Sequence, residues 1–322
     1  MCRLSIIVPF LGNDQFFEDT LVSVLQNRPA RCEVMVVHRG RYDDPYELQD
    51  EVTFVQVGEN FGMVEAINAG IKAAEGEIVH LIQPGVLADD GWIHAAVNRF
   101  HDPAIAAVAP LVLDAADSRR VAVAGIRFAR GGRRVIHGAG MKRSKAKRLL
   151  RSEVVGPALM AAFYRRSAVM ALGGLCADSG PWYADVDLGL SLRHLGFRCE
   201  LEPESVMTTL DAKSAPPSNF ETARCAERVF WRHWRQNGGA AALLAHAAHV
   251  TATLLVRPHR PETYGQLAGR MVARLERSTY RQHQARLQRA CETEAATGQS
   301  PSEADDPAVI FDMSEYRRRS AA

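Results

Sequence analysis

Two stretches of this 322-residue sequence hold side chains suited to chemistry. The first is Arg119 to Ser152, which contains twelve of the chain's 39 Lys and Arg and none of its 37 Asp and Glu. Arg130, Arg133, Arg134, Lys142, Arg143 and Arg148 form its centre. Cations at this density suit a phosphate, a diphosphate or an anionic lipid surface, and a plain solvated loop is the competing reading. The second is the pair Asp185 and Asp187, which opens a helix reading Leu188 to Leu195. A carboxylate at a helix entrance can take a proton from a hydroxyl, or it can cap the helix and complement its positive end.

Composition narrows the classes. The net charge of +2 argues against a general polyanion binder, so no nucleic-acid partner is expected, and 47% hydrophobic residues argue against a wholly disordered chain. Because the basic stretch carries no acid, the rest of the chain is acidic, and near-neutrality averages two different surfaces. The six cysteines are scattered with no CxxC pair, which points to a reducing cytoplasm and to neither a zinc knuckle nor a dithiol motif. The N-terminal apolar run of about seven residues breaks at Pro9, too short for a signal segment. Ala240 to Val256 is the one long apolar stretch, and it reads as a packed or interfacial helix.

The elements that must position these groups alternate. Leu4–Val8, Glu33–Val37, Thr53–Val57, Glu77–Ile82 and Ile105–Val108 read as strands. Helical patterns lie between them, through Phe17 to Leu25, over Met63 to Ala74 and from Gly91. This order predicts an α/β fold with a mostly parallel sheet flanked by helices, and ligands bind such sheets beyond the carboxyl ends of the strands. From about Asn219 the pattern is helical, including a basic helix from Glu262 to Cys291. Three regions are expected: 1–215 carrying the sheet, a helical C-terminal extension over 216–295, and a polar, disordered tail over 296–322.

Three stretches in register resemble family 2 glycosyltransferases, which use the nucleotide-sugar-binding GT-A fold. They are Leu4-Ser5-Ile6-Ile7-Val8-Pro9-Phe10, the run from Asn60 through Asn68-Ala69-Gly70-Ile71 to Glu77, and Gly156 to Asp187 with Leu195-Gly196-Phe197-Arg198 and Pro203-Glu204 downstream. The resemblance places Asp185 as the base that deprotonates an acceptor hydroxyl. It places a nucleotide-sugar donor near Pro9, His38, Asn60, Gln83 and Gly85, with Asp187 beside it as a chiefly structural carboxylate.

The resemblance also has gaps. Mg²⁺ or Mn²⁺ would be the family default, but the fourth strand ends in Gln83-Pro84-Gly85, where a neutral amide and a glycine replace carboxylates. Asp90 reads as a helix N-cap, and Met207-Thr208-Thr209-Leu210 stands where a ligating histidine is expected. Ala184 replaces the usual Glu, and Val37-His38-Arg39 stands where the second strand usually carries Asp. No metal ligand is therefore assigned and no cofactor is named. The basic segment is expected to hold the diphosphate, or to dock an anionic lipid.

The expected function is an inverting, metal-independent glycosyltransferase acting on a glycan or lipid-linked acceptor. It would be cytoplasmic and peripheral at the inner face of a membrane. Two alternatives stand beside it. One is a non-catalytic GT-A-like domain that binds a sugar nucleotide, a glycan or a partner enzyme. The other, a nucleotidyltransferase, lacks support because no Gly-rich basic loop follows the first strand.

Overall fold

The computed structural model describes residues 4–292, apart from 13–14, 41, 43, 152, 212–218, 257 and 277–284. Four strands form one half of the sheet: β1 (Leu4–Phe10), β2 (Cys32–Arg39), β3 (Thr53–Val57) and β4 (Ile78–Ile82). All pair in parallel in the order β3-β2-β1-β4. The β1 and β4 segments are apolar apart from Ser5 and His80 and are buried on both faces, as strands covered by helices on each side must be.

The two covering helices carry apolar residues at helical spacing. α1 (Phe17–Asn27) buries Phe17, Thr20, Leu21 and Val24 against Ile6 and Val8, while α2 (Met63–Ala73) buries Val64, Ile67 and Ile71 against Ile7 and Met35. Gly70 lets α2 lie close: a Cβ there would sit 2.7 Å from Ile7 Cγ2 and 2.8 Å from Val37 Cγ2.

The second half is mixed. It contains β5 (Val86–Ala88), α3 (Trp92–Arg99), β6 (Ile105–Asp114), β7 (Asp117–Val123), the hairpin β8 (Ile126–Phe128) and β9 (Arg134–Ile136), and β10 (Ala161–Arg165). α4 (Arg166–Ala171), α5 (Ala184–His194) and β11 (Arg198–Thr209) complete it. β10 runs antiparallel between β4 and β6, β11 is parallel to β6, and β5 and β7 are antiparallel edges. The sheet is thus less uniformly parallel than the alternating pattern predicts. β10 enters it without a crossover helix before it, and that reverses its direction.

Within the core one polar group is settled by its neighbours. His80 stacks on Phe163 at 3.6 Å, accepts from Trp92 Nε1 at 3.0 Å, and donates from Nδ1 to the Ala162 carbonyl at 3.1 Å. Trp can only donate and a carbonyl can only accept, so the ring is neutral. Burial pushes its pKa down to about 3.

Two expectations require correction. The basic stretch read as a candidate loop is folded: it supplies β7, the β8–β9 hairpin and a 3-10 helix over Arg143–Arg151. Its apolar residues Val121, Ile126, Ala146 and Leu149 are buried, which anchors the backbone, while the other described cations are exposed and Arg134 turns inward. The helix expected from Glu262 to Cys291 is α8 (Pro261–Leu275), and residues 285–292 are again helical. The expected tail lies outside the described residues.

Two further helices, α6 (Asn219–His233) and α7 (Ala240–Val256), precede α8. Phe230 and Ala242 join the same apolar core as β1 and α1, so the C-terminal helices are built onto the sheet layer. One buried carboxylate ties them together. Glu227 receives Trp231 Nε1 at 2.6 Å, His246 Nε2 at 3.1 Å and Arg270 Nη1 at 2.7 Å. His246 Nδ1 meets the Gly131 carbonyl at 2.9 Å, which couples α7 to the turn of the β8–β9 hairpin.

Burial alone would raise the Glu227 carboxyl, but the contacts from His246, Trp231 and Arg270 outweigh it and hold the group at about 2. A depressed carboxyl contributes stability above its unfolded value, near 4.5, and loses it as pH falls towards 2. Tryptophan fluorescence should therefore report loosening of the helical layer between those values. Glu227→Gln should be less stable at neutral pH and should lose much of that acid dependence.

Candidate active site

The loop-bearing ends of β1, β2 and β4 lie side by side, because β1 pairs with both neighbours. Phe10 aligns with His38 across β1 and β2, and Gln56 of β3 aligns with His38 on the other side. An aromatic cluster covers these ends. His38 packs 5.7 Å from Tyr42 and 6.2 Å from Phe54, Tyr42 stacks on Phe54 at 5.2 Å, and Phe10 lies 4.3 Å from Phe17.

His38 is buried, and its Nδ1 has no hydrogen-bond partner. Burial lowers its pKa, which keeps the ring neutral and able to accept as well as donate. Arg39 is occupied elsewhere, donating to the Leu11 carbonyl at 2.6 Å.

Pro9 is the sixth residue of β1, beside Val37. Asn60 is exposed in the turn after β3. Asn68 is a clamp within the fold, since its amide both donates to the Leu175 carbonyl and accepts from the Leu175 N–H at 2.8 Å.

The end of β4 is fixed by backbone. Gln83 N–H donates to the Met160 carbonyl at 2.9 Å. Gly85 N–H donates to Thr20 Oγ1 at 2.9 Å, and the Gly85 carbonyl accepts from Leu210 N–H at 2.8 Å. Gly85 adopts φ +90°, a left-handed conformation that the tight turn into β5 demands.

The Leu159–Met160 segment joins this rim to Asp185, because Leu159 N–H donates to Asp185 Oδ2 at 3.3 Å. Asp185 is the second residue of α5 and is fully buried. Arg134 approaches it with Nη2 2.6 Å from Oδ2 and Nε 3.2 Å from both oxygens, and Val186 N–H adds a bond to Oδ1 at 2.8 Å. A carboxylate taken out of water needs such partners to offset its lost hydration. The fully buried Tyr164 hydroxyl has no hydrogen-bond partner, and burial first, then Asp185's charge, raises its pKa well above the usual value.

Asp187, one half-turn on, is equally buried and faces the other way. Arg232 Nη1 meets one oxygen at 2.9 Å and His233 Nε2 the other at 2.8 Å, so this carboxylate docks α6 on α5. Gly189 completes the seating of α5, since a Cβ there would lie 2.4 Å from the Val155 carbonyl oxygen.

The basic residues do not converge on one point. Arg134 is committed to Asp185. Arg130, Arg133, Lys142, Arg143 and Arg148 are exposed, the last three along or just before the 3-10 helix. Arg143 lies close enough to Asp89 to draw its pKa down, although burial raises it overall.

The donor set at the β4 rim does not match a divalent cation of the hard, oxygen-seeking kind. Gln83 is neutral, Gly85 has no side chain, and Asp89 is held by Thr208 Oγ1 at 3.2 Å. Among the described residues no group of three or more His, Cys, Asp or Glu could hold a metal. Asp211 was missed by the sequence reading. Leu210's bond to Gly85 brings this one exposed carboxylate to the same rim.

Tyr42, Phe54, Tyr164, Arg232 and His233 were also missed, because nothing in their local spacing marks their distant partners. The available signal was the Arg232-His233 pair at the end of a helix that also carries Trp231, with Trp234 just beyond it.

A parallel half-sheet that continues through a reversed strand into a mixed half, flanked by helices, is the arrangement of the GT-A fold. The Glycos_transf_2 family, described as Glycosyl transferase family 2, matches residues 5–173, and the chain belongs to it. Poly-beta-1,6-N-acetyl-D-glucosamine synthase of Staphylococcus aureus strain COL is 27% identical over 112 residues, covering 33% of this chain and 27% of that protein. The same enzyme of strain MSSA476 is 31% identical over 98 residues, covering 28% and 24%. The match thus spans about a quarter of those relatives' length.

Solved structures share the fold. S. aureus TarS, residues 1–349, superposes with a TM-score of 0.55 at 13% identity, covering 92% of each chain. A mannosyltransferase, PcManGT from Pyrobaculum calidifontis, in complex with GDP-Man and Mn²⁺, gives 0.50 at 19% identity, covering 92% of this chain and 88% of its own.

Removing Arg134 would strand the Asp185 charge. Arg134→Met should lower stability in urea by about 3–5 kcal/mol, as expected for breaking a buried pair from one side. Adding Asp185→Asn should recover most of the loss, since the double variant has no unpaired charge.

Proposed function

We propose that this chain transfers a sugar, with inversion, from a nucleotide diphosphate donor to a hydroxyl of a glycan or lipid-linked acceptor. The observation that carries the reading is the short path from the β4 rim to Asp185. Two backbone hydrogen bonds through Leu159 and Met160 fix a carboxylate next to the strand ends where such sheets bind ligands.

In this reading Asp185 accepts the acceptor's proton as the hydroxyl attacks the anomeric carbon and the nucleoside diphosphate leaves. Arg134 and the two backbone N–H groups orient the carboxylate. The neutral His38 ring, with Tyr42 and Phe54, suits the face of a nucleobase, and Pro9, Asn60, Gln83 and Gly85 border the rest of the donor. Asp187 serves by seating α6.

Gln83 and Gly85 stand where the resemblance places acidic ligands, so we assign the diphosphate charge to the exposed basic side chains of the Arg130–Arg148 segment and no step to a metal. The acceptor type invites a position at the inner face of a membrane, held peripherally. Solved neighbours are consistent with a nucleotide-sugar donor: one is a complex with GDP-Man and Mn²⁺, and another, GalNAc-T7, with UDP, GalNAc and Mn²⁺.

The second reading, a non-catalytic binding domain, is favoured by Ala184 and Gly85, where family carboxylates are absent. Calorimetry with a panel of UDP- and GDP-sugars, in EDTA and then in Mn²⁺, separates the two. Transfer predicts binding of at least one donor in EDTA, with slow hydrolysis of it. Failure to bind any donor in either condition would leave the binding-domain reading.

A further inference from the structure

The loop after β2 carries a carboxylate that the transfer scheme does not use. Both side-chain oxygens of Asp44 are shielded from solvent, and neither has a hydrogen-bond partner. A carboxylate held out of water without donors is costly, so its donors are expected from a bound molecule. Arg39, at the end of β2, does not supply them, because it donates to the Leu11 carbonyl. Asp44 stands beside the aromatic cluster at the ends of β2 and β3. The Tyr42 hydroxyl has its pKa raised first by burial and then by the charge of Asp44, ahead of Glu18. Glu18 itself is engaged by the Tyr46 hydroxyl. Tyr42 stacks on Phe54 and lies 5.7 Å from the His38 ring. His38 is only 7% exposed, and its Nδ1 is a second polar atom here without a partner.

This pairing of groups discriminates between nucleobases. Guanine presents two adjacent donors, N1–H and the N2 amine, next to the O6 acceptor. A carboxylate with both oxygens unpaired takes two such donors side by side. Uracil has one donor, N3–H, set between two carbonyls that would oppose the second carboxylate oxygen. Adenine and cytosine each set a single amine beside a ring-nitrogen acceptor, which a carboxylate repels. A neutral imidazole with its proton on Nδ1 donates one bond, which suits O6. A divalent cation is the competing occupant. Among the described residues, however, no group of three or more His, Cys, Asp or Glu could hold one.

We infer that the donor nucleotide carries guanine, with Asp44 accepting from N1–H and the N2 amine and His38 Nδ1–H donating to O6. Tyr42 and Phe54 supply the apolar wall beside the base. This deepens the proposed function and rests on its donor site, adding which nucleotide that site selects. Base selection is read from nucleotide binding alone, so it is measured independently of transfer.

The test is calorimetry of the full chain with GDP, IDP, UDP, ADP and CDP, in EDTA and again in Mn²⁺. GDP should bind at least about tenfold tighter than UDP, ADP or CDP. IDP, which lacks the N2 amine, should bind about fivefold to tenfold more weakly than GDP. Asp44→Ala should weaken GDP by at least about tenfold and leave UDP within about twofold, with an unchanged thermal melt. His38→Phe keeps a ring without the donor and should also weaken GDP more than IDP or GDP differ in Asp44→Ala. UDP bound as tightly as GDP, IDP equal to GDP, or Asp44→Ala binding GDP like the parent would each overturn the inference while sparing the donor reading. No nucleotide bound in either condition would overturn both.

Discussion

Two carboxylates in the first turn of α5 must be kept out of water, and much of the second half of the molecule is arranged to make that tolerable. A buried charge costs several kcal/mol unless its oxygens are met by well-placed donors. Asp185 recruits Arg134 from the β8–β9 hairpin and backbone N–H groups from Leu159 and Val186; Asp187 recruits Arg232 and His233 from α6. Segments far apart in the chain are thereby fixed around one helix start. The positive end of α5 assists both carboxylates.

This constraint changes how the basic stretch is understood. As a line of text it is twelve cations without an acid, and a diphosphate or a lipid surface is the natural partner. Folded, it divides. Arg134 turns inward to neutralise Asp185, and the exposed members spread over the hairpin and the 3-10 helix. The same hairpin touches α7 through Gly131 and Glu227's partner His246. In the proposed scheme, the base and the cationic surface are therefore tied to the same layer of C-terminal helices.

How much of this was legible in the sequence depended on range. The β1–β4 half follows from local pattern, because continuous β-branched runs and helices with apolar residues at 3.6 spacing leave few alternatives. The bounds of β3 and α7 coincide with the sequence reading, and α2 ends within one residue of it. That Asp185 and Asp187 open a helix was legible in the local pattern. The partner of Asp185 was not: Arg134 lies 51 residues away, among eleven other cations with equal claim. The aromatic surround of His38 was hidden for the same reason, since Tyr42 and Phe54 reach it only through strand register. The folded state of the basic stretch was obscured because its few buried residues are diluted by charge.

The most direct measurement of the central claim is the rate of sugar transfer by Asp185→Asn, with nucleotide affinity and thermal melt measured on the same protein. Asparagine keeps the shape and can still accept from Arg134, but it cannot take a proton. The account predicts a fall in kcat of about a hundredfold or more with donor affinity unchanged. Transfer at the parent rate by a folded Asp185→Asn protein would contradict it.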